Sequence, residues 1–106
     1  MKRVFVINEN DNVATVVVEP LQEGDEVQTN GRITDLVITA KQNIAYGHKI
    51  ALRDIKQGET VLKYGLSIGA ATKDISVGDH VHTHNVESNR GRGDRTGQGS
   101  MKVASS

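Results

Sequence analysis

Cysteine and tryptophan are absent from this 106-residue chain, and proline occurs once, at Pro20. Without cysteine there is no disulfide framework, no thiolate metal site and no thiol nucleophile. That absence fits a reducing compartment. The three aromatics, Phe5, Tyr46 and Tyr64, are too few to build a core, which must come from Val, Ile, Leu and Ala. An excess of charge is missing too, because 13 basic and 13 acidic residues cancel. This removes the electrostatic footprint of a nucleic-acid or anionic-membrane partner. No apolar run approaches bilayer-spanning length. Met1-Lys2-Arg3-Val4-Phe5-Val6-Ile7 is basic then apolar, but the apolar run is shorter than that of a signal peptide. The expectation is a cytoplasmic protein of one small domain.

What is present is β-type punctuation, with turn signals at intervals of about eight to twelve residues and β-branched residues between them. Residues 13–18 read as a strand stopped by Glu19-Pro20. Thr29-Asn30-Gly31-Arg32 reads as a tight type I′ hairpin, with residues 33–39 returning. Residues 40–46 have room for one helical turn. No segment carries a sustained 3.6-residue apolar stripe. A short pattern occurs three times: Leu21-Gln22-Glu23-Gly24-Asp25-Glu26-Val27, Ile55-Lys56-Gln57-Gly58-Glu59-Thr60-Val61 and Ile75-Ser76-Val77-Gly78-Asp79-His80-Val81. Each has an apolar anchor, a turn glycine followed by an acid, and a Val entering the core. Such turns recur in any turn-rich β protein, but three copies point to a compact barrel or clip of short strands. After Asn85 the composition shifts to Gly, Ser, Arg and Asp. Residues 1–86 are therefore read as the folded domain and 87–106 as a flexible tail.

Three of the four histidines alternate in His80-Val81-His82-Thr83-His84-Asn85. On a strand, His80, His82 and His84 would share one face. Imidazoles change charge near neutral pH and bind metals. Neighbours two apart sit roughly 7 Å apart and the outer pair roughly 13 Å. With Zn–N bonds of about 2.0–2.1 Å, geometry favours a pair of ligands over three. The row therefore reads as a partial metal site, as a substrate-binding face, or as polar residues facing water.

Gly47-His48-Lys49 forms a bend that presents a proton-transfer group and a point charge, a pair suited to an anionic substrate. By itself it reads equally as an ordinary loop. Lys63-Tyr64-Gly65 ends a strand, with Lys63 placed to meet a carboxylate and Tyr64 read as a packing residue. Arg90-Gly91-Arg92-Gly93-Asp94 offers guanidinium groups for bidentate pairing with an acid. Its Arg-Gly-Asp tripeptide is too short to signal adhesion. No Gly-rich phosphate loop, Ser-His-Asp arrangement or His-Glu-x-x-His motif is present.

Taken together, Gly47-His48-Lys49-Ile50-Ala51-Leu52, Gly58-Glu59-Thr60-Val61-Leu62-Lys63-Tyr64-Gly65, Ile68-Gly69, Asp74-Ile75, Gly78 and His80-Val81-His82-Thr83-His84-Asn85 resemble the N-terminal module of the altronate and galactarate dehydratase family. The stretch Val86 to Asp94 resembles the tail of its stand-alone small subunits, to which the sulfolactate sulfo-lyase small subunit is related. The resemblance implies an all-β fold, a SAF-type β-clip of short bent strands. It also implies the small subunit of a sugar-acid hydro-lyase, with little activity on its own. Its partner would be a large catalytic subunit holding a divalent metal, commonly iron, with no metal bound by this chain. The implied reaction is β-elimination of water, with the enediolate supported by that ion.

His48 and His82 carry over as catalytic positions, and Lys49, Lys63, His84, Asn85 and Arg90 as substrate-binding ones. Neither nucleic acid nor membrane is expected as a partner. Val-rich edge strands leave a homo-oligomer open. Two other readings compete: a non-catalytic SAF module that binds carbohydrate or peptide, and a small histidine-based metal-binding protein. Fold alone does not separate them.

Overall fold

Four copies of one turn, not three, organise the chain. The computed structural model describes residues 2–34 and 36–88. Beside the three expected copies, Ile44-Ala45-Tyr46-Gly47-His48-Lys49-Ile50 adopts the same backbone path. In each copy the turn glycine (Gly24, Gly47, Gly58 or Gly78) takes a positive φ of 87–91°, a region closed to most side chains. Each glycine N–H donates to a carbonyl across the fold, that of Ala40, Val16, Ala71 or Ala51 respectively. The N–H of that same residue donates back to the residue after the glycine, which is Asp25, His48, Glu59 or Asp79. The apolar anchors pair as isolated bridges, Leu21 with Ile44 and Ile55 with Ile75. All four anchors are buried, as are the residues that end each copy, Val27, Ile50, Val61 and Val81. Each fully buried Ile or Val contributes about 1.5–3 kcal/mol of apolar transfer, so the repeated anchor-and-Val spacing is what the sheets are built on.

Nine short strands result: β1 Lys2–Val6, β2 Val13–Thr15, β3 Glu26–Gly31, β4 Val37–Thr39, β5 Lys49–Ala51, β6 Thr60–Lys63, β7 Leu66–Ala71, β8 His80–Val81 and β9 Val86–Ser88. They form three three-stranded sheets, ordered β1-β3-β4, β2-β5-β8 and β6-β7-β9. β1 and β3 run parallel, and the remaining pairs are antiparallel. The described residues contain no helix, so the all-β expectation holds. Among the described residues no helix is long and apolar enough to cross a membrane.

The middle sheet divides two cores. Ala14 and Ile50 face a cluster that includes Val4, Val27, Ile38 and Ile44. Their neighbours Val13 and Ala51 face the other, with Ile55, Val61, Ile75 and Val81. Strand alternation sends successive side chains to opposite faces, so this sheet is buried on both sides. Its β5–β8 edge carries Lys49 and the histidines.

Several local expectations need correction. Thr29-Asn30-Gly31-Arg32 is not a two-residue hairpin. β3 continues through Asn30 and Gly31 because both pair with β1, opposite Phe5 and Val6. The chain returns only at Val37, not at residue 33. The strand expected over residues 13–18 is β2 and stops at Thr15, because Val16 bonds to the turn at Gly47 and His48, leaving Val17 and Val18 exposed. Residues 40–46 hold no helical turn. The type I′ turn lies instead at Tyr64-Gly65, with φ of 57° and 76° and Lys63 paired with Leu66.

Tyr64 accordingly points outward, 48% exposed, and does not pack in the core. A buried carboxylate holds this unfavourable Tyr conformation: Asp11, 1% exposed, accepts from the N–H groups of Tyr64 and Gly65 at 3.0 and 2.7 Å and from Asn8 at 3.2 Å. The boundary expected at residue 86 falls inside β9, which runs to Ser88. The rest of the expected tail lies outside the described residues.

Candidate functional site

The pairing of β5 with β8 sets Lys49 opposite Val81 and Ile50 opposite His80. One register position further, His48 meets His82. Their rings stack face to face, 3.7 Å between centroids and 6° between planes. His48 Nδ1 also lies 2.8 Å from His80 Nε2. The ring of His84 sits 4.9 Å from that of His80. All four histidines of the chain therefore gather at one edge of the middle sheet.

The expected histidine strand does not account for this. β8 ends at Val81, and residues 82–85 form a turn closed by Asn85. Asn85 is 4% exposed. Its Oδ1 accepts from the His82 N–H at 3.0 Å and its Nδ2 donates to the His80 carbonyl at 2.8 Å. A row three residues long would have held the rings apart. The turn folds His84 back over His80.

The fourth turn copy explains how His48 comes to be available. In the other three copies the acid after the glycine accepts a hydrogen bond from the backbone three residues earlier: Asp25 from Gln22, Glu59 from Lys56 and Asp79 from Ser76, each at 2.7 Å. His48 occupies that position in the fourth copy and turns its ring to His80 and His82 instead. A local rule kept three times and broken once singles out His48 as a candidate functional position.

Two open clefts flank the cluster. One, about 250 Å³, is lined by Lys49, Lys63, His82, Thr83 and Ser88 over a floor of Ile68, Val81 and Val86. The other, about 350 Å³, is lined by His48 and His80 with the first turn pair, Leu21, Gln22, Asn43 and Ile44 among them. Among the described residues no carboxylate lines either one. Burial, and secondarily the charge on Lys63, lowers the pKa of Lys49. Burial likewise lowers His82, helped by His48, Lys49 and His84, and His80, helped by His84, His48 and His82. Two lysines on an apolar cleft, beside histidines of lowered pKa, can take an anion with proton-transfer groups alongside.

These side chains do not fit a metal. His48 and His80 spend their facing nitrogens on each other, and His48 and His82 present ring faces, so their lone pairs do not converge. Among the described residues no group of three potential ligands is arranged to hold a metal ion.

The structure thus brings together His48, His82, Lys49 and Lys63, and puts exposed His84 beside His80. Asn85 lies inside the turn with both amide atoms committed to backbone. Arg90 lies outside the described residues. Sequence reasoning missed His80 as the partner of His48. The signal was the unrecognised fourth turn, which aligns His48 with Asp79, next to His80.

The family model of the altronate/galactarate dehydratase SAF domain matches residues 2–89. The chain is 39% identical over 89 residues to an altronate dehydratase of Bacillus subtilis, covering 84% of this chain. It is 47% identical over 79 residues to that of Escherichia coli, covering 74%. These matches take up 17% and 15% of the two relatives, so the chain spans about a sixth of their length. It is also 40% identical over 91 residues to the (2R)-sulfolactate sulfo-lyase subunit alpha of Chromohalobacter salexigens, covering 81% of this chain and 95% of that subunit.

Proposed function

Since the chain belongs to the altronate/galactarate dehydratase SAF-domain family, we propose that it is the small subunit of a sugar-acid hydro-lyase and lends its lysines and histidines to a site that a larger catalytic chain completes. Two kinds of relative support this. In the altronate dehydratases the matching region is a small part of a long chain. In the sulfo-lyase it is nearly a whole subunit, named alpha. The observation that carries the proposal is the meeting of Lys49, Lys63 and His82 around one open cleft, with His48 stacked on His82.

In this reading Lys49 and Lys63 hold the substrate carboxylate. A basic group of the completed site takes the proton α to that carboxylate, the C–H electron pair forms the C=C bond, and the β C–O bond breaks as the hydroxyl takes a proton from an acidic group and leaves as water. The resulting enol tautomerises to the 2-keto-3-deoxy acid. His82, at the cleft wall, and His48, stacked behind it, supply proton-transfer capacity near neutral pH. The divalent ion implied by the resemblance is assigned to the larger chain, since the side chains here do not fit one.

The test is reconstitution. The larger dehydratase-type chain from the same source is assayed on sugar acids and on a sulfo-hydroxy acid, alone and with this chain. Turnover that requires both chains supports the reading. A larger chain fully active alone, or one that does not bind this subunit, removes it.

A further inference from the structure

His80 has both backbone groups held by side chains. Its N–H donates to Gln42 Oε1 at 2.7 Å, and its carbonyl accepts from Asn85 Nδ2 at 2.8 Å. Gln42 is itself tied to Asp79 through its Nε2, at 3.2 Å. These bonds fix the backbone from which the ring projects. From it, His80 Nε2 lies 2.8 Å from His48 Nδ1, with centroids 5.1 Å apart and planes within 5°. Ring nitrogens lie roughly 1.1 Å from the ring centre, so a linear N–H···N bond in the ring planes puts centres about 5 Å apart. The contact is thus an in-plane hydrogen bond, unlike the face-to-face contact of His48 with His82.

A neutral imidazole has one donor and one acceptor nitrogen, and an imidazolium has two donors. One nitrogen of the facing pair must therefore be bare, which bars both rings from being charged while the bond holds. His80 is the ring suited to stay neutral, because it is partly buried and faces His48, His82 and His84. Lys49 adds its charge on the His82 side.

We propose that His80 is a positioning residue: as a neutral imidazole it accepts the Nδ1–H of His48 and so fixes Nε2 of His48 as the nitrogen that transfers protons. This deepens the reading of His48 under the proposed function and rests on it for the catalytic part. In both protonation states His48 keeps its Nδ1–H, donated to His80 Nε2, and only the Nε2 of His48 gains or loses a proton. The logic is that of any histidine whose second nitrogen is held by a neighbour.

Imidazole-¹⁵N NMR on the full chain, without any partner, reads the tautomer directly. At neutral pH His48 is expected in one form, protonated at Nδ1. His80→Ala is expected to convert it to the mixture of a free imidazole. His80→Gln, whose amide oxygen reaches the same point, is expected to keep the Nδ1–H form and controls for folding. His48 protonated at Nε2 in the native chain, or a tautomer unmoved by His80→Ala, overturns the proposal. In the reconstituted enzyme His80→Ala is expected to lower kcat about 10- to 100-fold, with KM within about twofold and with partial recovery in His80→Gln. A loss carried by KM alone also overturns it. If His48→Ala leaves turnover intact, the proposed function fails while the tautomer measurement still stands or falls separately.

Discussion

His48 and Asp79 occupy the same position in two copies of one turn, yet only Asp79 caps its turn, accepting the Ser76 N–H at 2.7 Å. Restoring the rule should therefore stabilise the fold. In His48→Asp the new carboxylate faces the Ala45 N–H, as Asp79 faces Ser76. One such bond is worth about 0.5–1.5 kcal/mol net. Denaturant unfolding is expected to show a higher midpoint, while elimination activity of the reconstituted enzyme is lost. A variant that is destabilised and still active contradicts this view of the turn.

Asp11 should be among the most sensitive positions in the chain. Removing its carboxylate strips a partner from the N–H groups of Asn8, Tyr64 and Gly65. Each donor left unsatisfied costs about 1–3 kcal/mol when buried, and this turn is half open to water. Asp11→Ala is therefore expected to cost about 2–4 kcal/mol in urea unfolding. Asp11→Asn, which keeps one acceptor, should cost less. Because Lys63 leads into this turn, substrate affinity should fall as well.

Three of the four turns and the β-type spacing were legible in the sequence, because buried anchors and turn glycines recur at fixed offsets. The fourth copy escaped notice because His48 replaces the acid that marks the others. The hairpin was placed at Asn30-Gly31, where the residue types favour it. The structure puts it at Tyr64-Gly65, since parallel pairing with β1 carries β3 on through Asn30 and Gly31 and the Asp11 carboxylate holds Tyr64 in positive φ. Both causes lie far off in sequence. His48, His82, Lys49 and Lys63 were legible as a set only through the family resemblance. Their meeting follows from β5–β8 register, and the part of Asn85 in closing the turn required the coordinates.

Acid should weaken this protein earlier than its carboxylates alone would allow. His80 and His82 have folded pKa values below the ordinary 6.5. Between those folded values and 6.5 the unfolded chain binds more protons than the folded one. Stability is therefore fully present above about pH 6.5 and is lost as pH falls through that window. Asp25, lowered from 3.8 by its hydrogen bond to Lys2, acts in the same sense only at lower pH. Thermal midpoints measured from about pH 7 to about pH 5 should fall in the native chain and fall less in a His80→Gln, His82→Gln double variant. Equal slopes for the two chains would contradict the assignment.

Lys49 and Lys63 should act on binding more than on chemistry. Lys63 helps hold the pKa of Lys49 down, second to burial, and a bound carboxylate relieves that repulsion. Replacing either lysine with Met should raise KM of the reconstituted enzyme about tenfold or more, the worth of one charge-assisted hydrogen bond. Removal of Lys63 should also raise the Lys49 pKa, readable by NMR of the ε-carbon. An unchanged KM in both variants would place the acid elsewhere.

The central claim is that this chain takes part in the chemistry and does more than decorate a larger enzyme. The most direct measurement is kcat of the reconstituted enzyme carrying His48→Ala, with assembly of the two chains verified. General acid–base groups contribute about 10²–10⁴-fold, so a fall of about a hundredfold or more at little-changed KM is predicted. Turnover within about twofold of the native enzyme would contradict the account.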